Sequence, residues 1–232
     1  RKASWRMTGG IARNVDMRSP WDLVLRGDGL DVAMAGSHQI WRYEFISARL
    51  YLLAGSGIEN IIDGGFEKAA FAQPSGLWFS GDGELFVADS ETSAVRKLNL
   101  KSGLVETLVG TGLFDFGLRD GPGRTAQLQH PLGITGNGRI LYVADSFNNV
   151  IRSINIDDGV IVKTLDVKGV GRLNEPSGMA LSGKLLFVAD TNNHRIVKVD
   201  LDNLHAEEFI LHERDSSVGG SPDCIEGQCS FR

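Results

Sequence analysis

The hydrophobic and polar positions of this chain repeat in four units, and each unit opens with a proline at the start of a short apolar run. The four openings are Pro20-Trp21-Asp22-Leu23, Pro74-Ser75-Gly76-Leu77, Pro131-Leu132-Gly133-Ile134 and Pro176-Ser177-Gly178-Met179. In the last three units a second apolar run ends in Ala-Asp, 14 or 15 residues after the proline, at Asp89, Asp145 and Asp190. The first unit has Met34 and Ala35 at this place, so its aspartate is missing.

The spacing of the units predicts the fold class. Successive opening prolines are 54, 57 and 45 residues apart, which is a period typical of propeller blades and solenoids. Glycine and aspartate turns separate short apolar runs, and no helical periodicity appears. In the third unit this punctuation predicts four strands, at residues 133–135, 140–144, 150–156 and 160–165. Because such small sheets are stable only when packed on neighbours, the pattern predicts an all-β propeller of four-stranded antiparallel blades.

Composition and charge narrow the classes of partner. The 232 residues include 29 glycines and 42% hydrophobic residues, which is typical of a soluble globular chain with a substantial core. A formal net charge of −5 argues against nucleic acid, because phosphate neutralisation needs a basic face. No apolar run approaches the roughly 20 residues of a membrane span. We therefore expect a protein partner, no nucleic acid and no membrane span.

Longer motifs resemble the NHL repeat. They include the Pro-x-Gly openings, the Val-Ala-Asp endings and Asp190-Thr191-Asn192-Asn193-His194-Arg195-Ile196. More narrowly, five segments are similar to the propeller of thioredoxin-like, NHL repeat-containing proteins: residues 19–22, 33–41, 71–76, 110–117 and 128–133. The resemblance covers about residues 5 to 205 and implies a six-bladed ring that follows a thioredoxin-like domain. On this basis the four units form an arc of a larger ring, and a closed four-bladed ring is the alternative.

The resemblance also suggests domain boundaries. We expect residues 1–19 to hold the closing strand and exit loop of a preceding blade, with the strand at residues 3–7 and the loop from residue 8. Residues 20–211 are expected to form four NHL-type blades, and residues 212–232 a disordered tail that contains Cys224 and Cys229. Neither a thioredoxin-like βαβ segment nor a Cys-x-x-Cys motif appears, so the family's redox chemistry is assigned to no residue.

The repeated aspartates Asp89, Asp145 and Asp190 allow two interpretations. Three equivalent carboxylates could line a metal site, or each could accept hydrogen bonds from the backbone of the turn that follows it. We favour the second interpretation, because equivalent positions of successive blades lie well apart around a ring.

Arg96 and Arg152 each follow a repeated aspartate by seven residues. By strand parity Arg152 shares a face with Ile154 and Ile156, so an arginine there needs a buried partner. We expect each guanidinium to pair with a repeated aspartate of its own or a neighbouring blade. The alternative is an edge arginine with its charged head in water.

Few residues are candidates for catalysis, metal binding or partner binding. The five histidines are scattered without metal-ligand spacing, so no catalytic residue, metal or cofactor is predicted. The long connection from Gly110 to Gln129 contains Phe114, Phe116, Arg119 and Asp120, which we treat as a candidate partner-binding loop. The alternative, which we favour, is that its aromatic side chains pack this connection onto the adjacent blade.

Two classes of function follow. The sequence favours a non-catalytic propeller module for protein–protein interaction, and the resemblance implies the C-terminal part of a thioredoxin-like, redox-associated protein. The alternative is a metal-dependent hydrolase or lyase with its site at the propeller channel.

Overall fold

A computed structural model describes residues 9–157 and 159–210, which form four antiparallel sheets arranged as the blades of a β-propeller. The fold class predicted from the sequence is therefore confirmed. The predicted strand at residues 3–7 and the tail at residues 212–232, with both cysteines, lie outside the described residues.

The first two blades each contain five strands. Blade one contains β1 (Gly9–Ile11), β2 (Pro20–Arg26), β3 (Gly29–Met34), β4 (Gln39–Glu44) and β5 (Arg49–Ala54), in the order β1-β5-β4-β3-β2. Blade two contains β6 (Gly64–Gly65), β7 (Pro74–Phe79), β8 (Glu84–Asp89), β9 (Ala94–Asn99) and β10 (Leu104–Val109), in the order β6-β10-β9-β8-β7. Each Pro-initiated strand is thus the innermost strand of its blade.

The other two blades follow the same order. Blade three contains β11 (Gly121–Pro122), β12 (Pro131–Asn137), β13 (Ile140–Asp145), β14 (Val150–Asn155) and β15 (Ile161–Thr164). Blade four contains β16 (Pro176–Ser182), β17 (Leu185–Asp190), β18 (Arg195–Asp200) and β19 (Ala206–Glu208). The helical segments of the described chain are four single turns of 3-10 helix, at Ala12–Asn14, Ala35–Ser37, Ser146–Asn148 and Thr191–Asn193.

Three details differ from the sequence-based expectation. The inner strand of blade three extends to Asn137, which pairs with Ile140, because Gly138 adopts a positive φ of 59° and closes a tight hairpin. Residues 9–11 were expected in or beside an exit loop, but they form β1 and pair with β5 of blade one. The short strands β6 and β11 occupy the same outer edge of their own blades as β1 does in blade one. Three of the four blades therefore have five strands, where the sequence predicted four.

Three of the four hydrophobic clusters lie between consecutive blades, and the fourth, formed by Val32, Met34, Trp41 and Leu50, lies on blade one. Leu77 of blade two packs with Ile40 of blade one, Ile134 of blade three packs with Phe86 of blade two, and buried side chains of blade four enclose Tyr142 of blade three. Each junction between consecutive blades removes apolar area from water and so supplies stabilisation that a single sheet lacks.

Glycines on the inner strands set how closely the blades approach. A Cβ added at Gly133 would lie 2.0 Å from the carbonyl oxygen of Ser177 in the next blade, and one added at Gly76 would lie 2.6 Å from that of Leu132. Only a residue without a side chain allows this backbone contact. At Gly178 of blade four, the corresponding Cβ would meet no described atom within 4 Å.

The arc of blades is open between blade four and blade one. Trp21 and Leu23 on the inner strand of blade one are 57% and 59% exposed, whereas Leu77 and Ile134, which correspond to Leu23, are buried. Whether the arc belongs to a six-bladed ring remains a prediction.

We expect Gly133→Ala to lower the free energy of unfolding by about 1–3 kcal/mol, because the added methyl group forces two backbones apart. Gly112→Ala is the control, since its Cβ would meet no described atom within 4 Å, and we expect a change below about 0.5 kcal/mol. Chemical denaturation measures both. Equal stabilities of the two variants would contradict the close contact between blades three and four.

Candidate functional site

The repeated aspartate of blade two is the centre of a buried polar arrangement. Asp89 ends β8 and its side chain is fully buried. Its Oδ1 accepts a hydrogen bond from the backbone N–H of Ala72 at 2.8 Å. Its Oδ2 accepts one from Nη1 of Arg96 at 3.2 Å. The carboxylate therefore joins the second and third strands of the blade to the segment that leads into it.

Arg96 extends this arrangement to the outer strand. Its Nη1 also donates to the carbonyl oxygen of Ala70 at 2.8 Å, and its Nη2 donates to Asp63 at 2.9 Å. Asp63 in turn accepts hydrogen bonds from the backbone N–H and the hydroxyl of Thr107. We call the set Asp89, Arg96, Asp63 and Thr107 the Asp–Arg clasp of blade two. Arg96 shares its face with Leu98, which packs toward blade one, so the clasp lies at a blade junction.

Blade three repeats the Asp–Arg clasp. Nη1 of Arg152 lies 2.7 Å from Asp145, and Nη2 lies 2.7 Å from Asp120. Asp120 also accepts from the N–H and the hydroxyl of Thr164, and the carbonyl oxygen of Arg119 accepts from Arg152. Asp120 and the backbone of Arg119, which the sequence placed in a partner-binding loop, are thus engaged within their own blade.

Blade four has the repeated aspartate, but its arginine comes from a different position of the third strand. Val197 stands at the strand position of Arg96 and Arg152, and Arg195 reaches Asp190 from two residues earlier, with its Nε 2.8 Å from Oδ2. Nη2 of Arg195 donates to the carbonyl oxygen of Val170 in the lead-in segment. The carboxylate is therefore satisfied by a different side chain from the same strand.

Blade one replaces the pair by apolar side chains. Met34 stands at the aspartate position and Trp41 at the arginine position, and both are buried. The indole N–H of Trp41 donates to Gln39, whose amide donates to the carbonyl oxygen of Gly55. Well-packed apolar groups can replace a buried ion pair with little loss of stability. The Asp–Arg clasp is therefore one of three arrangements at this position, beside the Asp190–Arg195 pair of blade four and the apolar side chains of blade one.

Blade one also contains a buried carboxylate that the sequence did not single out. Asp31 pairs with Nε of Arg26 at 2.5 Å and Nη1 of Arg42 at 3.3 Å. Asp31 lies directly opposite Arg42 in the register of β3 and β4. The strand alternation alone could have indicated this pair, because both residues interrupt buried apolar runs.

Burial determines the protonation behaviour of the clasps. Burial raises the pKa of Asp89 to about 7, although the charge of Arg96 and the N–H of Ala72 act in the opposite direction. Burial also raises the pKa of Asp145, against the hydrogen bonds from Asn148, Gln129 and Arg152. Loss of hydration thus outweighs the hydrogen bonds at both sites.

The structure does not bring the repeated aspartates together. Each one is engaged with the arginine of its own blade, and the described residues contain no group of three or more histidine, cysteine, aspartate or glutamate side chains able to hold a metal ion. The inner strands line a central groove of about 510 Å³, where Asp22 is the one ionisable side chain among the described lining residues. Asp22 accepts the N–H of Leu77 at 2.8 Å.

The connection between blades two and three presents aromatic side chains to solvent. Phe114 is 90% exposed and Phe116 is 51% exposed. The side chain of Phe114 therefore does not pack the connection onto a blade. We call residues 111–118 the aromatic loop. Asp115 anchors it by accepting hydrogen bonds from the hydroxyl of Thr111 and from Nε2 of Gln127. The N–H of Gly117 donates to Leu128.

A second aromatic group lies beside the aromatic loop. Nδ2 of Asn148 donates to the carbonyl oxygen of Gly117 at 2.7 Å, which places the β13–β14 turn against the loop. In that turn the half-exposed Phe147 stacks on His130, with ring centroids 4.4 Å apart and planes 17° apart. Nε2 of His130 lies 3.4 Å from Glu91 of blade two. Sequence reasoning missed Phe147, although an aromatic residue in a polar turn is a recognisable signal.

The fold and the repeated sites define the class of this protein. The NHL repeat family profile matches residues 173–199, which cover the first strands of blade four. Together with four antiparallel blades, this match makes the chain an NHL repeat β-propeller, as the sequence predicted. No helix in the described part of the chain has the length and apolar character to cross a membrane.

Known proteins similar to this chain are much longer. NHL repeat-containing protein 2 of Homo sapiens is 44% identical, over 59% of this chain and 23% of its own length. Protein SUPPRESSOR OF QUENCHING 1, chloroplastic, of Arabidopsis thaliana is 35% identical, over 67% of this chain and 16% of its own length. The chain thus spans less than a quarter of the length of these curated relatives.

A solved structure supports the architecture. Virginiamycin B lyase from Staphylococcus aureus superposes with a TM-score of 0.57 at 17% sequence identity, over 88% of this chain and 59% of that chain. At this identity the likeness shows a shared propeller fold and carries no information on activity.

We expect Arg152→Ala to lower the free energy of unfolding by about 3–5 kcal/mol, because it leaves the buried carboxylate of Asp145 without its cation. Lys101→Ala, at an exposed site, should change it by less than about 0.5 kcal/mol. Urea denaturation followed by tryptophan fluorescence measures both variants. A loss at Arg152 as small as that at Lys101 would show that the Asp–Arg clasp does not stabilise blade three.

We expect Asp89→Asn to change how stability depends on pH. The folded-state pKa of Asp89 is about 7, against 3.8 for a free side chain, so the contribution of its proton to stability is complete below pH 3.8 and is lost as pH rises to about 7. Asparagine does not titrate. The melting temperature of the variant relative to the parent should therefore increase between pH 4 and pH 7.

Asp82→Asn is the control for this pH experiment. A hydrogen bond from Ser80 lowers the pKa of Asp82 below 3.8, so its titration falls outside the interval. A relative melting temperature of Asp89→Asn that stays constant from pH 4 to pH 7 would show that Asp89 is ionised throughout.

Proposed function

We propose that this propeller is a non-catalytic module that binds a protein partner through the aromatic loop and the adjoining turn of blade three. The observation that carries the proposal is the 90% exposure of Phe114 on a loop anchored by its own hydrogen bonds. Aromatic side chains dominate the energetics of protein interfaces. An anchored loop also loses little conformational freedom on binding, which leaves more of the contact energy for affinity.

Neighbouring side chains extend the proposed surface. Phe147 and His130 form a stacked pair beside the aromatic loop, and Leu118 is more than half exposed. Arg119 bonds to Gln127 through Nη2 and provides a cationic rim. An apolar centre with a polar rim is the usual anatomy of a protein interface, and it suits a partner that inserts an apolar segment between the two aromatic groups.

We further propose that the propeller is the C-terminal part of a thioredoxin-like, redox-associated protein. Support comes from the motifs that this chain shares with such proteins and from the greater length of its curated relatives. Sequencing of the complete transcript tests this part. We expect the reading frame upstream of Arg1 to encode a thioredoxin-like βαβ segment with a Cys-x-x-Cys motif. An upstream frame without that segment would contradict it.

We expect Phe114→Ala to raise the dissociation constant for a protein partner by about tenfold or more. Loss of an interface anchor costs at least about 1.4 kcal/mol of binding free energy. Affinity capture with the tagged chain, followed by quantitative mass spectrometry, identifies partners, and titration of a recovered partner measures the constant.

Ile46→Ala is the matched control for this experiment. Ile46 is 89% exposed but lies in the β4–β5 turn, at the opposite ends of the strands from the aromatic loop. Partners that bind both variants as tightly as the parent would exclude the aromatic loop as the interface. Stoichiometric metal in the purified protein would favour a channel enzyme instead.

A further inference from the structure

Three consecutive strands of every blade carry a row of side chains that lie directly opposite one another. In blade two the row is Phe86, Lys97 and Glu106, on β8, β9 and β10. Nζ of Lys97 lies 3.0 Å from the carboxylate of Glu106. We call the equivalent three positions of each blade its cation row, because each row contains one basic side chain.

Two other blades also place a carboxylate in the cation row. In blade four, Lys198 lies opposite Glu207, and its Nζ is 2.5 Å from that carboxylate. In blade one, Asp31 lies opposite Arg42 and 3.3 Å from its Nη1. Opposite charges that face each other across two strands stabilise the pair. Blades one, two and four therefore neutralise the basic side chain within the row.

The cation row of blade three has no carboxylate. It consists of Tyr142, Ser153 and Lys163, in register on β13, β14 and β15. Lys163 is exposed, and it forms no ion pair with any residue that the structure describes. The row thus combines a cation with two hydroxyl groups.

The hydroxyl group of Tyr142 is the second group without a partner. The residue is 9% exposed. Burial raises the pKa of its phenol, and no hydrogen bond from the described residues contributes to that shift. The hydroxyl group is therefore protonated at neutral pH and can donate a hydrogen bond. Phe86 and Phe187 fill this position in blades two and four, so packing does not require a hydroxyl group here.

Tyr142 and Lys163 line a pocket of about 340 Å³ between blades three and four. Its other lining residues are mainly apolar, and they include Ile161 of blade three and Leu201 and Leu204 of the β18–β19 turn of blade four. One side of the pocket therefore offers hydrogen-bond donors and a positive charge, and the other sides offer apolar contact. A pocket of at least about 300 Å³ with apolar walls and a few polar groups is typical of a small-molecule site.

We propose that this pocket binds a small carboxylate with an aliphatic chain, such as a medium-chain fatty acid. The ligand's carboxylate supplies the anion that the cation row of blade three lacks. It accepts a hydrogen bond from the hydroxyl group of Tyr142 and lies beside the ammonium group of Lys163. A hydrogen bond to an ionised acceptor is stronger than one between neutral groups. The aliphatic chain packs on Leu201 and Leu204, which removes it from water.

The carboxylate site is separate from the proposed partner surface. Tyr142 and Ile161 lie toward the ends of β13 and β15 that adjoin the turns at residues 138–139 and 156–160. The aromatic loop contacts Asn148, in the turn at the opposite ends of the strands. A chain that binds no carboxylate therefore leaves the proposed partner surface standing, and a chain that binds no protein partner leaves the carboxylate site standing.

Isothermal titration calorimetry of the 232-residue chain with octanoate tests the proposal. We expect one octanoate per chain. Octanamide has the same aliphatic chain without the charge, and we expect it to bind about fivefold more weakly or less tightly still. A chain that does not bind octanoate, or that binds octanoate and octanamide equally, would overturn the proposal.

Two single variants test the polar contacts. Tyr142→Phe should raise the dissociation constant for octanoate about tenfold without a loss of folding, because phenylalanine packs at this position in blades two and four. Lys163→Met keeps an unbranched apolar stem. It should raise the constant for octanoate about two- to fivefold and leave the constant for octanamide unchanged.

Lys101→Ala is the control for the single variants. Lys101 is exposed in the β9–β10 turn of blade two and outside the pocket lining, so its loss should leave both constants unchanged. If Tyr142→Phe and Lys163→Met bind octanoate as tightly as the Lys101→Ala variant does, the proposal is wrong.

Exchange of the whole cation row gives a second control. The combined substitutions Tyr142→Phe, Ser153→Lys and Lys163→Glu give blade three the row of blade two, in which a carboxylate neutralises the lysine. Circular dichroism should show an intact fold, because blades two and four have this combination. We expect no octanoate binding by this variant, and binding as tight as in the parent would exclude the pocket as the site.

Discussion

Every blade of this propeller has two apolar faces, and neither is covered by the strands of the blade itself. Leu77 is buried because blade one lies against it, and Ile134 because blade two does. The hydrophobic stabilisation of the fold therefore depends on the contact between neighbours, and any device that holds blades in register has a large effect on stability. The inner-strand glycines serve this contact by allowing two backbones to approach at Gly133.

The Asp–Arg clasp complements this nonpolar contact with directional bonds. Arg152 ties Asp145 at the end of one strand to Asp120 in the segment that leads into the blade. That segment crosses the junction, so the guanidinium fixes the position of the segment relative to the strands. Blade one achieves the same packing with Met34 and Trp41, which indicates that charge is not required there. The ion pair adds geometric definition, because a planar guanidinium satisfies two carboxylates at once.

Because the core and the clasps stabilise the strands, the turns and connections are available to bind a partner. The core and the clasps hold the strands, and the connection between blades two and three can therefore carry Phe114 in solvent without loss of the fold. Asp115 and Gln127 keep the aromatic loop ordered by local bonds. A rigid scaffold that presents short exposed loops is a common basis for binding sites.

The sequence by itself determined the number of blades, the innermost strand of each and the position of the buried aspartates. Proline spacing, glycine turns and strand alternation are local signals, and they were sufficient for these features. The pairing of Arg96 with a repeated aspartate was predicted from the sequence. Its second carboxylate partner was decided only by the tertiary structure, since Asp63 precedes Arg96 by 33 residues and belongs to a connection without a strand pattern. The same holds for the short strands β6 and β11 and for the bond from Gln73 to His38, 35 residues apart. The exposure of Phe114 was likewise decided only by the tertiary structure, because the sequence favoured packing of this aromatic side chain onto the adjacent blade. Contacts between distant segments depend on how one blade packs on the next, and that geometry is not encoded in any single repeat.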